Sequence, residues 1–166
     1  MKVIFVGNYG VGKTNLLRRL EGKQFEENQI MSNSNLNFPT KLIQVGTTTL
    51  NLELWDPSGH ERFKRLFRSF YADTQGCLIV FDICDPLSFT SVQEWFDDVT
   101  VWCGKQVVRV LVGSKCDLEG ERKVTSSEAE AFAEKLGIPY IETSSKNGTN
   151  VNEMTVLLAH LLVEVK

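Results

Sequence analysis

Long apolar runs are missing from this 166-residue chain. None approaches the roughly 20 residues that a membrane-spanning helix needs. Excess charge is missing too: 18 Lys and Arg against 21 Asp and Glu leave a net charge of −3. No basic stripe is implied, and nucleic acid is not an expected partner. Cysteine is sparse and scattered, at Cys77, Cys84, Cys103 and Cys116, with no C-x-x-C pair. That argues against a zinc site or a disulfide framework. Three of the four lie in apolar surroundings and read as buried free thiols, which fits a reducing, cytoplasmic setting. The first apolar run begins at Val3, leaving no room for a signal peptide. The tail Val163-Glu164-Val165-Lys166 offers no cysteine for a prenyl group, so no lipid anchor is expected from this chain. What is present is 42% hydrophobic residues, enough for the core of one domain over residues 1–166.

The most informative segment is Gly7-Asn8-Tyr9-Gly10-Val11-Gly12-Lys13-Thr14. It fits G-x-x-x-x-G-K-[ST], a loop whose backbone N–H groups turn inward around phosphate. The apolar run Val3-Ile4-Phe5-Val6 precedes it and the helical pattern Leu16-Leu17-Arg18-Arg19-Leu20 follows. A helix N-terminus behind the loop adds partial positive charge. Lys13 would reach the β- and γ-phosphates, and the Thr14 hydroxyl would ligate Mg²⁺.

The rest of the chain alternates strand and helix. The pattern predicts strands over Lys2–Gly7, Thr40–Val45, Leu50–Asp56, Gly76–Ile83, Val107–Gly113 and Tyr140–Glu142. Four read as nearly continuous apolar runs, which suits interior strands of a parallel sheet. Gly46 marks a hairpin between Ile43 and Leu50. Helices are predicted over Lys13–Glu21, Phe63–Asp73, Phe89–Cys103, Ser126–Leu136 and Val151–Val163. Thr125-Ser126-Ser127-Glu128 is a capping box, and Gly137 with Pro139 ends that helix. The fold class is therefore α/β: a doubly wound, mostly parallel six-stranded sheet with flanking helices. Ligands of such sheets bind beyond the carboxyl ends of the strands. The phosphate loop, Asp56, Asp117 and Ser144 all fall there. Residues 23–39 are polar and read as a long loop near the phosphate site.

Four more segments narrow the reading: Asp56-Pro57-Ser58-Gly59, Ser114-Lys115-Cys116-Asp117, Glu142-Thr143-Ser144-Ser145-Lys146, and Gly59-His60-Glu61-Arg62-Phe63 running on to Phe70-Tyr71. In order and spacing the chain resembles the Ras superfamily of small GTPases, the Rab branch most closely, from Met1 to about Val163. The resemblance implies a P-loop G domain that binds GTP and GDP with Mg²⁺, hydrolyses GTP, and acts as a signalling or vesicle-traffic type of switch. It implies Thr14 and Asp56 as Mg²⁺ residues, and Gly10, Val11, Gly12, Lys13, Thr14 and Asn15 on the phosphate side. Gly59 would touch the γ-phosphate. Asp117 would accept two N–H bonds from the guanine edge, which adenine cannot offer. Lys115 and Lys146 would lie over the base faces, and Ser114, Ser144 and Ser145 complete the guanine side. Phe38, Trp55 and Phe70 match an effector-facing aromatic patch, and an exchange factor and a GTPase-activating protein are the further implied partners. Lys64, Arg65 and Arg68 form a basic face on the predicted switch helix.

The departures from the family concentrate on hydrolysis. Tyr9 stands where a small residue is usual and would crowd the γ-phosphate and an arginine arriving from a partner. His60, the one catalytic candidate, replaces the glutamine that orients water. Pro57 and Ser58 stiffen the hinge. Asn33 falls where a threonine is expected, with Ser32 or Ser34 as alternatives after a shift of register. Ser114 replaces asparagine, a change expected to weaken guanine binding without abolishing it, separately from the changes at the hydrolytic positions. These changes point to slow hydrolysis, or to a guanine-nucleotide-binding module that does not switch.

Overall fold

The computed structural model describes residues 1–27, 38–56 and 68–165. The strands are β1 (Lys2–Val6), β2 (Thr40–Val45), β3 (Thr48–Trp55), β4 (Thr74–Asp82), β5 (Val108–Ser114) and β6 (Tyr140–Glu142). The helices are α1 (Lys13–Leu20), α2 (Arg68–Tyr71), α3 (Pro86–Thr90), α4 (Val92–Cys103), α5 (Ser126–Leu136) and α6 (Val151–Glu164). One six-stranded sheet runs in the order β2-β3-β1-β4-β5-β6. Only β2 is antiparallel, joined to β3 through the Gly46 hairpin with Val45 opposite Thr48. The other five strands therefore deliver their carboxyl ends to one edge.

The strand sequences explain the layering. Successive side chains of a strand point to opposite faces. Val3 and Phe5 of β1 enter a core with Leu16 of α1 and Met154, Leu158 and Leu162 of α6. Ile4 and Val6 enter the other core, with Trp95 and Val99 of α4 and Ala129 and Ala133 of α5. Nearly all of β1, β4 and β5 is buried, as continuous apolar runs require. β3 is the exception: it alternates, with Leu50, Leu52 and Leu54 inward. Its other face carries Thr49, Asn51 and Glu53 and turns apolar only at Trp55.

The capping box of α5 forms in both directions, with Thr125 Oγ1 accepting from Glu128 N–H at 3.1 Å and Glu128 Oε2 accepting from Thr125 N–H at 3.0 Å. Gly137 closes that helix in the left-handed region. The expected helix Phe89–Cys103 is instead two helices. α3 starts earlier because Asp85 accepts from the Leu87 N–H at 3.1 Å and Pro86 occupies the first turn, where its missing N–H costs nothing. Of the expected helix Phe63–Asp73, the described part is α2. All four cysteines are free, but only Cys77 is fully buried, correcting the expectation of three buried thiols. Burial pushes the Cys77 thiol up, away from reactivity. No helix among the described residues is long and apolar enough to cross a membrane.

Candidate functional site

The loop after β1 is built by its glycines. Gly12 has φ 102°, a left-handed conformation that turns the chain into α1. A Cβ on Gly7 would sit 2.2 Å from the Val80 carbonyl oxygen of β4, so only glycine lets the loop leave the sheet there. Val11 and Leu16 anchor both ends of the turn in the core.

Lys13 folds back into this loop. Its ammonium donates to the Gly7 and Asn8 carbonyls, each at 2.8 Å, and the residue is 4% exposed. Thr14 Oγ1 donates to Asp56 Oδ2 at 2.6 Å, joining α1 to the end of β3. Asn15, the next residue, donates to the Glu26 carbonyl at 3.2 Å. A buried ammonium and two adjacent hard oxygens fit a triphosphate with Mg²⁺. Such an ion takes one or two carboxylate or hydroxyl oxygens from protein and the rest from phosphate and water. When bound, it neutralises developing charge on the phosphates.

The segments after β5 and β6 meet the same edge. Ser114 Oγ donates to the Val11 carbonyl and approaches the Phe81 carbonyl at 2.9 Å. A serine here therefore ties β5 to the phosphate loop. Lys115 adopts φ 64°, unusual for a side-chain-bearing residue. Its ammonium pairs with Asp82 Oδ2 at 2.7 Å and donates to the Gly10 carbonyl at 3.0 Å. Ser144 Oγ donates to Asp117 Oδ1 at 2.7 Å, fixing the orientation of that carboxylate. Thr143, Ser144 and Ser145 are buried, whereas Lys146 is exposed. Gly10, Val11, Gly12, Lys13, Thr14, Asn15, Asp56, Ser114, Lys115, Asp117 and Ser144 to Lys146 are thus drawn from four segments to one end of the sheet.

Gly59 and His60 lie outside the described residues, as do Pro57, Ser58, Asn33 with its alternatives Ser32 and Ser34, and the basic residues Lys64 and Arg65. Tyr9 is described and is 74% exposed, its phenol turned to solvent rather than packed on its own loop. Phe38 stacks on Trp55 with ring centroids 3.5 Å apart, and Phe70 meets Trp55 edge-on at 6.3 Å. Lys2 Nζ lies 3.8 Å above the Trp55 ring. Phe70 itself is 9% exposed, while Phe38 and Trp55 are half-buried.

Sequence reasoning missed Asn8 and Trp95. The Asn8 amide donates to Ser91 Oγ at 3.0 Å, and the Trp95 indole N–H donates to Asn8 Oδ1 at 2.8 Å. Only the non-glycine character of Asn8 inside the loop hinted at this.

The family model "Ras family" matches residues 2–164. "Ras-related protein Rab-1D" of Dictyostelium discoideum is 39% identical over 158 residues, spanning 95% of this chain and 77% of that protein. "Ras-related protein SEC4" of Saccharomyces cerevisiae is 37% identical over 164 residues, 99% of this chain and 75% of that protein. "Ras-related protein RABD2c" of Arabidopsis thaliana is 36% identical over 152 residues, 92% and 75% respectively.

Proposed function

The chain belongs to the Ras family, and from that premise we propose which of its residues do which part of the work. It is a Rab-like small GTPase: it binds GTP and GDP with Mg²⁺, hydrolyses GTP, and acts as a switch of the vesicle-traffic type. Membership does not favour the alternative of a module that never switches. The domain is taken as residues 1–166.

In this reading Lys13 and the N–H groups of Gly10 to Asn15 hold the phosphates. Thr14 and Asp56 hold the metal ion. Asp117 reads the guanine edge, Lys115 and Lys146 flank the base, and Ser114, Ser144 and Ser145 set the loops that carry them. Gly59 senses the γ-phosphate, and His60 orients water. Phe38, Trp55 and Phe70 face an effector, with exchange and activating proteins as the other partners, in the cytoplasm. The observation that carries the assignment is the meeting of the Lys13 ammonium, the Thr14–Asp56 pair and the Ser144–Asp117 pair at the carboxyl edge of one sheet.

We further propose that unaided hydrolysis is slow. Catalysis of phosphoryl transfer is mostly positioning and charge stabilisation, so replacing the water-orienting glutamine by His60 removes a large share of it. Tyr9, projecting from the loop, stands in the path of an incoming arginine. Single-turnover hydrolysis of preloaded GTP, without partners, tests this. A rate well below the order of 10⁻⁴ per second, the unaided range for small GTPases, is expected. Tyr9→Gly combined with His60→Gln should raise it. A faster wild-type rate, or no gain in the double variant, would remove both residues as the obstruction.

A further inference from the structure

Asn8 has no role in the assignment above, yet both ends of its side-chain amide are hydrogen-bonded to residues outside the phosphate loop. The Trp95 indole N–H can only donate, so the atom facing it must be the amide oxygen, and the amide nitrogen then faces Ser91 Oγ. Ser91 Oγ in turn reaches the Leu87 carbonyl at 2.9 Å. Ser91 is the residue that joins α3 to α4, and Trp95 is buried in the core with Ile79 and Phe81. The side chain of Asn8 is therefore clamped to a rigid junction more than 80 residues away in sequence. Its main chain faces the other way: the Asn8 carbonyl accepts from Lys13 Nζ at 2.8 Å and from the Val11 N–H at 3.5 Å.

We propose that Asn8 is a positioning residue for the nucleotide, and that the Asn8–Ser91–Trp95 clamp slows nucleotide release by holding the loop carbonyl that seats Lys13. The inference rests on the phosphate loop being the nucleotide site. It adds that α4 is wired to the phosphates through one amide. A partner that shifted the α3–α4 junction would loosen the nucleotide without touching the loop itself.

The test uses the full chain loaded with GDP and Mg²⁺. GDP release is followed by displacement of a fluorescent GDP, and the bound β-phosphate is followed by its ³¹P resonance. Asn8→Ala removes both bonds, and Trp95→Phe removes the N–H while keeping an aromatic, though smaller, side chain in the core. Each should speed release roughly three- to tenfold, the scale of one or two neutral hydrogen bonds. Each should move the ³¹P resonance, and the double variant should be little worse than either alone. Asn8→Asp keeps an oxygen for the indole and can accept from the Ser91 hydroxyl, so it should restore both readouts. If Asn8→Ala proves too unstable to study, Trp95→Phe carries the same prediction. Wild-type release and an unmoved ³¹P resonance in a folded variant would overturn the proposal. So would faster release with an unmoved resonance, which is general destabilisation alone. A wild-type chain that retained no GDP would instead overturn the nucleotide reading beneath it.

Discussion

Asp117 and Ser144 show how a single side chain gains its role from a neighbour 27 positions away. A carboxylate on a loop is ordinarily free to rotate. Here the Ser144 hydroxyl donates to one carboxylate oxygen and restrains that rotation. On the proposed assignment, Asp117→Ala removes two charge-assisted bonds to a guanine edge. The expected loss is about 3 kcal/mol or more, roughly a hundredfold in GDP affinity by calorimetric titration. Ser144→Ala keeps the charge and should cost only roughly three- to tenfold in the same assay. Asp117, Lys13 and Thr14 were legible in the sequence because each sits in a motif with fixed local spacing. Asn8 was not, since its partners Ser91 and Trp95 come from a distant segment and carry no spacing rule. Nor was the ion pair that holds Lys115 against Asp82.

Elements were legible where a local signal marked both ends. α5 carries its start in Thr125 and Glu128 and its stop in Gly137, and its bounds match the expectation residue for residue. The cap also predicts a magnitude. Thr125→Ala should lower stability by about 1 kcal/mol in urea unfolding, with Thr125→Ser within a few tenths. A loss of that size with an unchanged denaturant slope would localise the effect to the native helix. The α3–α4 pair was misread because apolar residues from Phe89 to Cys103 keep a helical period across the junction. The competing signal was Asp85-Pro86, a cap followed by proline in the first turn, and it decides where α3 begins. β3 was placed correctly but is half-buried, because Asn51, Glu53 and Thr49 face outward between its leucines.

Over the whole molecule, the segment that follows β5 is joined to the end of β6 by a charged network in addition to apolar packing. Arg122 donates to Glu142 at 2.7 and 2.9 Å and to Glu119 at 2.8 Å, while Tyr140 and Ser126 also donate to Glu142. Burial alone would raise the Glu142 carboxyl. The Arg122, Tyr140 and Ser126 hydrogen bonds and the Arg122 charge outweigh it, leaving the carboxyl below its ordinary value of 4.5. A depressed carboxyl contributes stability above its unfolded-state value and loses it as pH falls through the folded one. Thermal melting should therefore fall steeply below about pH 4.3, the ordinary carboxylate range. Glu142→Gln should start from a lower melting temperature at neutral pH and show a shallower acid slope. An unchanged slope would mean the network contributes nothing to acid stability.

The nucleotide site has a consequence for how this chain holds together. The pieces proposed for it are spread from Gly7 to Lys146 and come together at the carboxyl ends of five parallel strands. No fragment of the chain can bind the nucleotide as the whole does. Guanine nucleotide is then a ligand of the folded state alone, and mass action makes it a folding partner. At a thousandfold excess over Kd such a ligand adds about 4.1 kcal/mol to the unfolding free energy. That is comparable to the entire margin of many domains. Any protein that opens the site to exchange nucleotide must work against that same sum, so exchange and loss of structure draw on one equilibrium.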